Sequence, residues 1–369
     1  MVASISARGG VQAALGYYAH LGQDDYYLRH GEPPGGWAGE GAARLSLVGP
    51  VTKSEFEAAL KGIDPKTGER LAALGGRLRD HAAGWDMTFS APKSVSVLWA
   101  LSDARDRAPI ESAHRIAVGT ATRYLEQTAA GARRGKSGAT REPTAGLLMA
   151  TFEHHTSREF DPQLHAHVFI FNLAPRRDGT WGAIVSRELY KAQKRAGAVY
   201  RAALAVELER AGHAVERSGD NFRAAAIPPH VERAFSKRRQ AIEAAAAEHG
   251  YRSPRGMELA ALRTRRAKHD VERPALFELW RTEARALGFE LGRDAARAQA
   301  RSTMRPIAGS VIERQTVAGI PPASLGRHDA RLAHAGGKMS GALQAMNQPA
   351  AMPGLAVDLR QREWELDRV

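Results

Sequence analysis

The sequence contains no cysteine. That excludes a disulfide framework, a cysteine-ligated zinc site and a cysteine nucleophile, and it fits a reducing compartment. No run approaches the roughly 18 consecutive apolar residues of a membrane-spanning helix. Residues 1–10 carry one arginine and no long apolar stretch, which argues against a secretory signal. The expectation is a cytoplasmic protein with no membrane segment. An intact GxxxxGK[ST] phosphate loop is missing as well. The nearest approach, Gly131-Ala132-Arg133-Arg134-Gly135-Lys136-Ser137, has three residues between its glycines where the motif needs four, and it follows a helical pattern rather than a strand. It reads as a basic surface loop, and neither an ATPase nor a strand-unwinding activity is predicted. No repeat of fixed period occurs.

Positive charge is abundant. Lys+Arg 53 against Asp+Glu 40 leaves a formal charge of +13 on 369 residues. The length suits two domains, or one large domain with an appendage, and either can bury a full core. Such a surplus suits a polyanionic partner, because its field attracts and holds phosphates. Charge does not identify that partner, and an Arg- and Ala-rich composition can also produce it.

Patterns of apolar residues divide the chain. Residues 53–75 read as a helix followed by a turn around Asp64-Pro65-Lys66-Thr67-Gly68, and Gly84 to Ser90 reads as a strand. Val95 to Leu101 fits a second strand or the start of a helix. Residues 107–130 are helical in pattern. Ala145 to His154 and Gln163 to Leu173 are strand-like, with Asp161-Pro162 marking a turn between them. Arg176 to Gly179 makes a hairpin turn before Trp181. Helices are expected over 200–212, 231–249 and 271–288, with a basic cluster at 263–268. After about Arg293 the composition loses period and reads as a flexible tail, 294–369.

Four of the fourteen histidines fall between positions 154 and 167. Residues two apart on a strand share a face, so His165 and His167 point the same way. The turn at Asp161-Pro162 can fold the preceding strand alongside and bring His154 to the same spot. Three converging imidazoles form a facial metal site with positions left for substrate. His155 points to the other face. By softness, three imidazoles suit Zn2+, Ni2+, Cu2+ or Mn2+. A zinc hydrolase could use the same set.

Four tyrosines, Tyr17, Tyr18, Tyr26 and Tyr27, lie within eleven residues. Each could be ordinary packing, a ring buried and a hydroxyl wet. Two doubled tyrosines in a basic chain with a three-His site point further, to a covalent nucleophile helped by a cation or a carboxylate. Asp86 stands in an otherwise apolar or small strand. It could orient a metal-ligating histidine through the second ring nitrogen, or accept a tyrosine proton.

Together these segments resemble one known family, the relaxase domain of conjugative plasmid relaxases of the TrwC/TraI type (the MobF class of HUH endonucleases). The carrying residues are Tyr17-Tyr18 with Asp24-Asp25-Tyr26-Tyr27, Asp86 to Ser96, and His154 to His167. Gly197 to Tyr200 and Phe235 to Arg238 are also similar to later segments of the family. The likeness covers roughly residues 1–290. It implies an α+β fold, a central antiparallel sheet flanked by helices. It also implies a relaxase domain over 1–293 whose last part, about 225–293, is a helical flap over a DNA groove. Tyr17 would cut the plasmid strand at the transfer origin through a 5′-phosphotyrosine intermediate, and Tyr26 would serve a second strand transfer. Tyr18 and Tyr27 would support them. His154, His165 and His167 would hold a divalent metal, Mg2+ or Mn2+ in use, with Asp86 beside them.

Single-stranded and hairpin DNA of a transfer origin would be the substrate. Other relaxosome proteins and a conjugative secretion system would be partners. Lys93, Arg141, Arg158, Lys237 and Arg238 are candidate phosphate contacts, and Trp37 a candidate stacking platform. Family members usually continue into a helicase domain, which the tail 294–369 does not resemble. The rival readings are a rolling-circle replication initiator or transposase, a catalytically silent origin-binding protein, and a phosphoester hydrolase. The first two enzymes usually place their tyrosine after the histidines, and here both pairs precede them.

Overall fold

The computed structural model describes residues 3–21, 34–72, 82–135, 138–157, 159–264 and 273–292. Alternating side chains on short apolar segments build a five-stranded antiparallel sheet. Its strands are Ala3–Arg8 (β1), Gly36–Ala38 (β2), Gly84–Ser90 (β3), Met149–Thr156 (β6) and Pro162–Phe171 (β7), in the spatial order β1-β3-β7-β6-β2. Two small hairpins lie outside it in the intervening sequence, Gly131–Arg134 (β4) with Thr140–Pro143 (β5), and Ala174–Pro175 (β8) with Trp181–Gly182 (β9).

The register sorts the residues of the sheet between its two faces. On β7, Leu164, Ala166, Val168 and Ile170 take one face, and His165, His167, Phe169 and Phe171 the other. Cross-strand partners share a face. Asp86 pairs with Phe169 and Ser6, Thr88 with His167, and His154 with His165. The imidazole face therefore also carries Asp86, Thr88 and, on β1, Ser4, Ser6 and Arg8.

The opposite face is apolar on β1, β3 and β7, and β6 adds Thr151, Glu153 and His155 to it. Ile5, Trp85, Met87, Phe89, Ala166, Val168 and Ile170 form one core with three helices, Lys93–Leu101 (α4), Ala104–Ala129 (α5) and Ser186–Arg210 (α6). Each such fully buried large side chain contributes about 1.5–3 kcal/mol. Close approach of α6 to β1 requires Gly197, where an added Cβ would stand 2.9 Å from that of Ala3. Buried serines of α4 serve backbone groups: Leu164 N–H donates to Ser96 Oγ and Ala224 N–H to Ser94 Oγ.

One half of the imidazole face is closed by Val11–Leu21 (α1), Gly39–Arg44 (α2) and Lys53–Leu60 (α3). Tyr18, Trp37 and Phe56 interleave there with Phe152, Phe169 and Phe171 in a second core. A capping box between Thr52 and Glu55 starts α3 and so fixes Phe56.

The chain then makes the hairpin Val215–Ser218 (β10) and Asn221–Ala224 (β11), followed by helices Pro229–Ala234 (α7), Lys237–Glu248 (α8), Pro254–Arg263 (α9) and Arg273–Ala286 (α10). These helices are tied to the turn between β6 and β7. The Lys237 backbone N–H donates to Asp161 Oδ2 at 2.7 Å, and Trp280 Nε1–H to the Phe160 carbonyl at 2.7 Å. Trp280 packs on Trp99 of α4, with ring centroids 5.8 Å apart.

The expected antiparallel sheet with flanking helices is present. Several local expectations change. Of the two readings of Val95 to Leu101, helix is the one found; Pro92 starts it, and it is buried from Ser94 to Ala100. The basic loop at 131–141 contains paired strands. The helix expected over 231–249 breaks at Phe235–Ser236, where Ser236 Oγ turns back to the Glu232 carbonyl. Strands β1, β10 and β11 and helix α9 were not anticipated. The tail 294–369 lies outside the described residues.

Candidate metal centre and its carboxylate partner

Three imidazoles meet at one end of the sheet. His165 and His167 come from β7 and His154 from β6, directly opposite His165. Their ring centroids lie 5.1–5.4 Å apart, mutually edge-on. One ring nitrogen from each falls within 4.8 Å of the other two. Two nitrogens about 2.1 Å from one ion stand at most about 4.2 Å apart, so small side-chain rotations would close the set.

Hydrogen bonds on the outer nitrogens fix the rings. His165 Nδ1 lies 2.9 Å from the Gln163 carbonyl, an acceptor, so Nδ1 carries the proton and Nε2 the lone pair. His167 Nδ1 lies 3.3 Å from Asp86 Oδ1 and 3.3 Å from Thr88 Oγ1. Donation to a carbonyl or carboxylate behind the ring is what a metal-ligating histidine usually shows. The donor set therefore fits a divalent metal ion. His155, one residue from His154, turns to the other face and stacks on Trp99 at 4.9 Å.

Asp86 is fully buried. Its second oxygen accepts from Arg8 Nη2 at 2.6 Å. Arg8 escaped the sequence reading. The alternation Ser4-Ile5-Ser6-Ala7-Arg8 was the available signal, since it places Ile5 on one face and Arg8 on the other.

Helix α1 lies on this same face. Tyr18 is buried, its ring stacked on Phe56 at 4.4 Å and edge-on to Phe152 at 5.7 Å, and its hydroxyl donates to the Val51 carbonyl at 2.9 Å. Phe152 is the cross-strand neighbour of His167. Tyr18 thus pins α1 beside the imidazoles. Tyr17 precedes it on the same helix. Tyr26 and Tyr27 lie outside the described residues.

Comparison with known proteins now decides the family. The family model described as TrwC relaxase matches residues 11–287. The chain belongs to the TrwC relaxase family. The multifunctional conjugation protein TraI of Escherichia coli is 35% identical over 306 residues, covering 79% of this chain and 17% of TraI. TraI of strain K12 is 33% identical over the same length. The chain thus spans about a sixth of these curated relatives. Among solved structures, TrwC in complex with OriT DNA in a metal-free form superposes with a TM-score of 0.68 at 33% identity, covering 79% of this chain and 100% of that one. A copper-bound TrwC–OriT complex gives 0.68 at 36% identity with the same coverage.

Within this TrwC-family chain, several basic and aromatic residues expected to hold DNA have other work. Trp37 is 2% exposed and stacked on Phe171, so its ring has no face for a base. Lys93 is half-buried with Nζ donating to the Pro162 carbonyl at 2.8 Å, and desolvation brings its ammonium down to about 8. Lys237 bridges Asp161 and Glu283, at 3.3 and 2.7 Å. Arg238 donates to the Thr264 and Ala261 carbonyls and closes the end of α9. Arg141 is exposed on β5, and Arg158 lies outside the described residues. Clusters of positive charge in sequence cannot distinguish a phosphate contact from a buried tie between elements. Among the described residues, no helix is long and apolar enough to cross a membrane.

Proposed function

We propose that this chain cuts and rejoins one DNA strand at a transfer origin, and so initiates conjugative transfer. The observation that carries the reading is the three-imidazole cluster, two of its rings held from behind, on the face that receives α1. His154, His165 and His167 would hold a divalent metal ion, Mg2+ or Mn2+ in use. When bound, such an ion neutralises charge on a scissile phosphate and makes its phosphorus more electrophilic.

The phenol oxygen of Tyr17 attacks phosphorus. A Tyr–O–P bond forms as the P–O3′ bond breaks. The phenol proton leaves, and the 3′-oxygen gains one. A 5′-phosphotyrosine link and a free 3′-OH result. One phosphodiester replaces another, so the exchange needs no ATP and is reversible. Tyr26 would perform the second exchange, with Tyr27 in support. Asp86 faces an imidazole and a guanidinium, which favours orienting His167 over accepting the phenol proton. Tyr18 acts by holding α1.

Residues 1–293 act as one relaxase unit, with a helical segment from about 225 latched to the histidine hairpin. Arg141 and Arg158 remain phosphate contacts in this reading. Single-stranded and hairpin origin DNA, other relaxosome proteins and a conjugative secretion system are the partners.

The test uses the full chain with Mn2+ and labelled single-stranded oligonucleotides that tile the adjacent origin. A denaturation-resistant protein–DNA adduct is expected, and it is lost in Tyr17→Phe. Free fragments without an adduct would indicate a phosphoester hydrolase. Retention of DNA without cleavage would indicate a silent origin binder.

A further inference from the structure

Arg8 sits at the end of β1, and Asp86 lies in β3, the strand between Arg8 and the imidazoles. A chain of three groups runs from the sheet edge inward. Arg8 Nη2 donates to Asp86 Oδ2 at 2.6 Å, and Asp86 Oδ1 faces His167 Nδ1 at 3.3 Å. Asp86 is fully buried, and the Arg8 side chain is 17% exposed. A guanidinium is always charged and binds a carboxylate with fixed geometry. Its partner in such a pair is an acceptor and not a donor. His167 can then meet Asp86 only as an Nδ1–H donor. That choice leaves the lone pair on Nε2, the nitrogen on the opposite side of the ring.

We propose that Arg8 is the positioning residue of the metal centre. It holds the buried Asp86 carboxylate in place and thereby fixes the tautomer and direction of the His167 ring. It touches neither the ion nor the DNA in this role. The inference deepens the function proposed above and rests on the three-His site being a metal site.

Three features favour this over a purely structural pair. Asp86 uses its two oxygens on two different partners, one of them a candidate ligand. Asp86 is wholly out of water, so its orientation depends on its partners and not on solvent. Register also puts Thr88 opposite His167, and its hydroxyl lies 3.3 Å from the same Nδ1, where it can accept that proton alongside Asp86. Changing a group behind a metal-bound histidine typically lowers metal affinity by about 10–100-fold.

The experiment is Mn2+ titration of the full chain by calorimetry, with the His167 tautomer read on the metal-free chain from long-range 1H–15N correlations and assigned with His167→Gln. The wild type is expected to bind Mn2+ and, metal-free, to hold His167 protonated at Nδ1, and His165→Ala is expected to lose Mn2+ binding. Arg8→Gln is expected to weaken Mn2+ at least tenfold and to mix the two His167 tautomers. Arg8→Lys keeps charge without the fork and should fall between. Should Arg8→Gln not fold, Arg8→Gln combined with Asp86→Asn removes both buried charges; it is expected to fold and still bind Mn2+ at least tenfold more weakly. Wild-type Mn2+ affinity with an unchanged tautomer in either neutral variant overturns the proposal. A wild type that binds Mn2+ no better than His165→Ala overturns the metal site itself, and the role of Arg8 with it.

Discussion

Among the described residues two aspartates are buried, one in the sheet and one at the turn between β6 and β7, and the contrast between them separates chemistry from architecture. Asp86 is gripped by Arg8 and turns its other oxygen to an imidazole. Asp161, at the turn of the histidine hairpin, accepts the backbone N–H of Lys237 and stands 3.3 Å from its ammonium. Burial pushes the Asp161 carboxyl up, against the pull of Lys93 and Lys237. Both carboxylates cost desolvation and are kept by a nearby cation. One aligns a ring that can hold a metal, and the other docks the start of a helix. The strand β7 repeats the contrast along its length, with His165 and His167 on one face and Leu164, Ala166 and Val168 on the other. A protein organised this way should tolerate loss of the imidazoles without unfolding, and loss of the opposite face without losing metal specificity.

The largest effect tests that division directly. Trp99 is fully buried behind the sheet, between His155, Phe277 and Trp280. Trp99→Ala is expected to cost about 3–5 kcal/mol in denaturant unfolding, while the folded fraction still binds Mn2+. His165→Ala should do the reverse. It should lower Mn2+ affinity at least about 100-fold, roughly 2.7 kcal/mol, with metal-free stability within about 1 kcal/mol of wild type. Loss of Mn2+ binding in folded Trp99→Ala would show that the His155–Trp99 stack controls His154 and would break the comparison.

A smaller effect comes from a histidine that belongs wholly to the architecture. His114 of α5 is buried with Nδ1 2.7 Å from the Tyr200 hydroxyl of α6. Burial, with a lesser push from Arg115, brings its pKa down from 6.5 to about 3. Between those values the unfolded chain binds a proton that the folded chain refuses. The stability from His114 is therefore complete above pH 6.5 and is lost as pH falls toward 3, at about 1.4 kcal/mol per pH unit. Unfolding curves from pH 7 to 4 should differ in slope by about that amount between the wild type and His114→Leu, whatever the substitution does to the baseline.

These tests also mark where the sequence was readable. Strands β3, β6 and β7 were legible because alternation is local, and so was the likeness of His154, His165 and His167 to one cluster. The pair Arg8–Asp86 spans 78 residues, and nothing local announces it. Trp37 sits in a Gly/Pro-rich stretch that reads as loop, yet three of its residues pair with β6 and bury the ring. Lys93 misled for a related reason. Its charge suggested solvent, but the first turn of α4 lies against the hairpin turn, where the Pro162 carbonyl accepts from the ammonium and the charge of Asp161 lies nearby. Local pattern finds elements and faces, whereas burial of a charge depends on what the fold brings over it.

The finest test concerns the tyrosine pair, where Tyr17, the proposed nucleophile, precedes the anchor Tyr18 on one helix. Tyr18 donates its hydroxyl to the Val51 carbonyl from a buried position, while its ring stacks on Phe56. Tyr18→Phe keeps the ring packing and leaves one buried carbonyl short of a donor, a loss of about 1–2 kcal/mol. Because α1 stays docked through the ring, the yield of the covalent DNA adduct should remain within about twofold of wild type. Tyr18→Ala removes the ring as well and should cost about 3–5 kcal/mol, as deletion of a buried aromatic does. Adduct formation should then fall with the loosening of α1 even at temperatures where the sheet is intact. If Tyr18→Phe abolished the adduct while Tyr17→Phe retained it, the roles of the two neighbours would be exchanged, and the helix would have to turn its buried ring toward the imidazoles to react.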